Sequence, residues 1–119
     1  MTELAAKFFN VSLSAPVRVS VPEVGADVFI RPFTGADLEA WESELVRRRG
    51  KTDSEFDMAG LRATLVKMTI CDESGAQIFA DATTERINQM PATILESLYR
   101  AAKTANKLDA TAAEDAEKN

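Results

Sequence analysis

The hydrophobic residues change their period at Thr34, and that change limits the folds open to this chain. Before it, Val17, Val19 and Val21 alternate with Arg18 and Ser20, placing the valines on one face of a strand. Pro22-Glu23-Val24-Gly25 interrupts the run, and Val28-Phe29-Ile30 resumes it up to Arg31-Pro32. Two short strands around a Gly-containing link predict a hairpin from Val17 to Arg31. A lone hairpin is marginal in water, so this one should pack on something helical. From Thr34 the spacing becomes that of a helix. Thr34 is a good N-cap and Asp37 an acidic group in the first turn, while Leu38, Trp41, Leu45 and Val46 fall on one stripe. Arg47-Arg48-Arg49 suits the negative end of a helix and Gly50 can cap it, so a helix is predicted over Ala36–Arg49.

The rest is largely helical by the same criteria. Met58, Leu61, Leu65 and Met68, flanked by Val66 and Ile70, predict a helix over Ser54–Met68 capped by Thr52 or Asp53. Gly60 in that span implies a close helix contact or a weak first turn, because glycine costs about 1 kcal/mol against alanine there. Asp72–Gly75 reads as a turn and Gln77-Ile78-Phe79 as a short extended piece. Thr83 or Thr84 caps a short helix reaching Ile87 and Met90. Pro91 opens a long amphipathic helix over Pro91–Leu108, with Ile94, Leu95, Leu98, Ala101, Ala102 and Ala105 on one face. The expected fold is α+β and helix-dominant: one domain over 16–108, an N-terminal two-stranded hairpin packed on three to four helices. Its expected core is Leu38, Trp41, Leu45, Leu61, Leu65, Ile94, Leu95 and Leu98. Residues 1–15 carry Leu4, Phe8, Phe9, Val11 and Leu13 without a clean period, compatible with a short helix and extended arm or with a flexible leader. Residues 109–119, alanine-rich and acidic, read as a disordered tail.

Charge and composition exclude several functions. The net charge is −5, of which Asp109, Glu114, Asp115 and Glu117 against Lys118 place −3 in the last eleven residues and leave −2 for the body. A nucleic-acid binder needs a basic face to displace counterions, and this balance does not supply one. Histidine is absent, which removes the commonest general base and metal ligand. Cys71 is the only cysteine, so no internal disulfide can form and a reducing cytoplasm is the expected setting. With no histidine to activate it and with Asp72 and Glu73 beside it, Cys71 reads as an inert, buried or half-buried thiol. Asp72, Glu73, Asp81 and Glu85 do not have calcium-loop spacing, and neither a phosphate-binding glycine loop nor a nucleophile elbow occurs. No catalytic residue, metal or cofactor is therefore expected.

Two features point to a binding surface instead. Phe8 and Phe9 lie outside the periodic segments and are candidates for partner contact. Arg47, Arg48 and Arg49 form the one basic cluster, either a solvated helix end or a patch for an acidic partner.

Several segments occur in a characteristic order. Leu13-Ser14-Ala15-Pro16 precedes the valine strand, and Val21-Pro22-Glu23 ends it. Thr34-Gly35-Ala36 leads to Glu44-Leu45-Val46-Arg47-Arg48, then to Leu61-Arg62-Ala63-Thr64-Leu65-Val66. Next come Thr69-Ile70-Cys71-Asp72-Glu73-Ser74-Gly75 and Ile78-Phe79-Ala80-Asp81, and finally Ala105-Asn106-Lys107-Leu108 and Glu117-Lys118-Asn119. This succession resembles tail-assembly chaperones of phages and prophages with long non-contractile tails, over nearly the whole chain. The resemblance implies a protein of the host bacterial cytoplasm with no catalytic residues. Such a protein coats or stabilises the tape measure protein and helps the major tail protein polymerise around it. It also implies a minority product extended by ribosomal frameshifting. Glu117-Lys118-Asn119 can be spelled GAA AAA AAC, which contains the slippery run A AAA AAC. The alternative is a structural virion component, such as a minor tail or head–tail joining protein; a small enzyme using the acidic turn is disfavoured by the missing histidine.

Overall fold

A computed structural model describes residues 1–50, 52 and 55–108. In chain order these form α1 (Glu3–Phe9), β1 (Val17–Val21), a single 3-10 turn (Pro22–Val24) and β2 (Ala26–Ile30). There follow α2 (Gly35–Arg47), α3 (Leu61–Thr69), β3 (Ile70–Cys71), α4 (Thr84–Ile87) and α5 (Ala92–Ala105). The α+β class and the hairpin are as expected, with Val17 opposite Ile30 and Val21 opposite Ala26. Gly25 closes the connection at φ 67°, a left-handed conformation that glycine adopts without steric cost.

The sheet has a third strand that the periodicity missed. Ile70–Cys71 pairs antiparallel with β2, giving the order β1-β2-β3. Two residues at the end of a helix carry too little pattern to mark a strand; the β2 edge selects them. The expected extended piece Gln77-Ile78-Phe79 reduces to one bridge between Gln77 and Cys71, because the chain turns at Ile78.

Helix α2 begins as its sequence requires. The Thr34 hydroxyl accepts from Asp37 N–H at 3.2 Å, and the Asp37 carboxylate accepts from Thr34 N–H at 2.9 Å. Arg31 grips the same carboxylate through both terminal nitrogens, at 2.9 and 3.1 Å, tying the end of β2 to the start of α2. At the other end the helix stops at Arg48, which caps it, rather than at Gly50. Gly50 lies where its N–H donates to Glu55 C=O, and a Cβ there would collide with the Glu55 side chain.

Helix α3 starts seven residues later than expected. Ser54 lies outside the described residues, but 55–60 are not helical. Their backbone groups are committed elsewhere: Asp57 N–H donates to Arg48 C=O, Ala59 N–H to the Asp57 carboxylate, and the Asp57 and Ala59 carbonyls accept from the Arg48 guanidinium. Gly60, at φ 73°, then turns the chain into α3 as its N-cap. A helix through this segment would need those same carbonyls for its own i→i+4 bonds.

The core lies where α3 and α5 pack together, with α4 against α3 and α5 also touching β1 and β2. Trp41, Leu45, Leu61, Leu65, Leu95 and Leu98 are buried in it as expected. Leu38 is not, being 40% exposed, and Val46 is more open still. The α2 stripe is narrower than its spacing implied because only one edge of it meets the core. Ile94 is half-buried, whereas Ile30, Val66, Ile70, Ile87, Tyr99 and Thr69 belong to the interior. The Thr69 hydroxyl is reconciled with burial by donating to Leu65 C=O at 2.7 Å. Asn106, just past α5, accepts from Phe33 N–H at 2.8 Å and donates to Arg31 C=O at 3.2 Å, fastening the last helix to the β2–α2 junction.

Three carboxylates hold parts of this frame. For Asp37, burial alone would raise the pKa, but the Thr34 N–H and the Arg31 guanidinium outweigh it, and the group sits below its ordinary value. Arg47 and Arg48 hold Glu44 low, and Arg62 and Arg100 hold Glu96 low. A depressed folded-state pKa contributes stability that is present above the unfolded value and lost as pH falls through the folded one. The urea midpoint is therefore expected to be flat above roughly pH 5 and to fall below it. Asp37→Asn, which cannot titrate, should flatten that fall. A midpoint unchanged between neutral and strongly acidic pH would refute the assignment.

Candidate partner-binding surface

Helix α1 forms because Thr2 caps it, accepting from Ala5 N–H at 3.1 Å, with Glu3 in the first turn and Lys7 in the last. It buries none of its residues. Phe8 and Phe9 close it at 73% and 77% exposure, and Leu4, Val11 and Leu13 are exposed around them. Two adjacent aromatic side chains in water lose the burial of roughly 150–250 Å² each that such residues normally obtain. The N-terminal fifteen residues are thus a short helix with apolar side chains turned outward, followed by residues without regular structure.

The arginine cluster divides. Arg47 is exposed and pairs with Glu44 at 2.5 Å; Arg49 is exposed, and its backbone bridges Phe56. Arg48 contradicts the expectation of a solvated cationic patch, since it is only 6% exposed. Its Nε donates to Glu44 at 2.6 Å, and its terminal nitrogens reach Asp57 C=O at 3.0 Å, Ala59 C=O and the Thr64 hydroxyl. Arg48 is a structural clamp, and of the three arginines only Arg47 and Arg49 remain exposed. Beside Arg47 a shallow hollow of about 560 Å³ is lined by Glu39, Glu42, Ser43 and Val46, so the local field is mixed rather than basic. Nothing in the chain's sequence marks Arg48 off from its neighbours except its i+4 spacing from Glu44 and its place beside the buried stripe.

The acidic turn has its own structural use. The Asp72 carboxylate accepts from Ser74 N–H at 2.9 Å, the Ser74 hydroxyl at 2.6 Å and Ala76 N–H at 3.1 Å, which holds its pKa low. Among the described residues no group of three or more Cys, Asp or Glu is placed to hold a metal ion. Cys71 is fully buried, and burial, followed by the nearby Asp72, pushes its thiol pKa up. No helix among the described residues is long and apolar enough to cross a membrane. Compared with known proteins, the chain matches no family model, no curated protein and no solved structure.

Proposed function

We propose that this protein is a non-enzymatic tail-assembly chaperone of a long-tailed phage or prophage, acting in the host bacterial cytoplasm. In this reading it keeps the tape measure protein soluble by direct binding. A minority, C-terminally extended form brings in the major tail protein. The observation that carries the reading is α1, whose Phe8 and Phe9 offer apolar contact surface that the described residues leave exposed. The resemblance of the ordered segments to that family gives the surface its proposed client. A long helical client that aggregates before assembly needs apolar cover rather than chemistry, and a few aromatic anchors dominate such binding. Arg47 and Arg49 add association rate and salt sensitivity more than affinity.

Co-expression tests this. The tape measure protein alone is expected to precipitate and to stay soluble with this protein present. A Phe8→Ala/Phe9→Ala double variant should fold normally, since neither ring is buried, yet lose the solubilising effect. A tape measure protein that remains equally insoluble with both the short and the extended forms sinks the reading. Stoichiometric copies of this protein in mature particles would instead establish a structural tail component.

A further inference from the structure

The two edges of the sheet are finished differently. On the β3 side the chain covers its own edge: Ile78 N–H donates to Ile70 C=O at 3.2 Å and Asp72 N–H to Ala76 C=O at 2.9 Å. On the β1 side no described residue pairs with the strand. The register shows which groups are left open there. Arg31 N–H donates to Thr69 C=O at 2.8 Å, so the odd-numbered residues of β2 bond toward β3 and the even-numbered ones toward β1. Ala26, Val28 and Ile30 therefore bond to Val21, Val19 and Val17. The N–H and C=O groups of Arg18 and Ser20 point outward, and both residues are exposed. At the same spacing on either side stand Pro16 and Pro22, which have no N–H to offer.

We infer that this edge pairs with β1 of a second copy of the chain, antiparallel about a two-fold axis through Val19. This inference is independent of the chaperone reading. In that register Arg18 lies opposite Ser20 of the second copy and Ser20 opposite its Arg18, which makes four backbone hydrogen bonds. Pro16 falls opposite Pro22 of the second copy, so both strands run out of donors at the same two places and no N–H is stranded. On the core-facing side Val17 meets Val21 of the second copy and Val19 meets its own counterpart. Val17, half exposed in the single chain, gains cover. Like charges do not face each other, since Arg18 meets a serine and is already held by Asp27 at 3.8 Å and by the Phe29 ring at 5.4 Å. The ladder is short, and an interface well under about 1,000 Å² makes a weak dimer that is dissociated at micromolar concentration.

Sedimentation of the full chain from micromolar to millimolar concentration should show the mass rising from 13.0 kDa toward twice that. Ser20→Pro should hold it monomeric; the Ser20 N–H is not used by the β1–β2 ladder, so thermal melting should change little. The second readout is covalent. Residues facing across the two-fold at a non-hydrogen-bonded position lie about 4.5 Å apart at Cα, within disulfide range. Val19→Cys should therefore cross-link to itself under mild oxidation, faster than the more exposed Ser20→Cys, whose counterpart is Arg18. This comparison decides the matter even if Ser20→Pro fails to fold. A chain still monomeric at millimolar concentration, a dimer that survives in a folded Ser20→Pro variant, or faster cross-linking of Ser20→Cys overturns the inference. The first of these leaves the edge to an extended segment of another protein.

Discussion

Replacing Arg48 by methionine is expected to remove about 2–4 kcal/mol of folding stability. Breaking a sealed ion pair from one side costs about 3–5 kcal/mol, because the partner is left charged and desolvated. The cost here is somewhat lower, since Glu44 keeps Arg47 and its side chain remains 19% exposed. The carbonyls of Asp57 and Ala59 lose their donor in the same step, and the non-helical path of 55–60 depends on them. Urea melts should show the loss, and amide exchange should speed up first at Asp57 and Ala59. Arg49→Met, at an exposed position, should leave the melt nearly unchanged. Equal effects at the two positions would mean that the Arg48 clamp does not form.

Leu65→Ala should cost about 2–5 kcal/mol, toward the upper end for a side chain with no exposure. Leu65 lies on α3, which packs against α5 and α4, so a cavity there cannot be filled without moving a helix. The matched control is Leu38→Ala, which removes the same atoms from a side chain 40% exposed and should cost less than about 1 kcal/mol. The pair measures how the α2 and α3 stripes differ in the folded chain, although both have helical spacing. Comparable losses would place Leu38 in the core and rotate α2 from its position.

Local pattern was enough wherever the interaction that forms an element lies within it. The alternating valines specify a strand face, Thr34 and Asp37 cap α2 across three residues, and Pro91 with the Leu95–Leu98–Ala102 face specifies α5. Trp41 and Leu45 were legible as core for the same reason, as were exposed aromatics at Phe8 and Phe9, which no periodic segment claims. Contacts between distant residues decided the rest. Arg48 draws in carbonyls nine and eleven residues away and so moves the start of α3; side by side in the chain, Arg47, Arg48 and Arg49 have the same chemistry and differ only in which way the helix turns them. Ile70 and Cys71 become a strand because the edge of β2, some forty residues earlier, accepts them. Asn106 closes the fold across more than seventy residues. The width of the buried stripe on α2 likewise follows from what packs against it: periodicity gives a helix its apolar direction, but only the neighbouring surface determines how far around the helix burial extends.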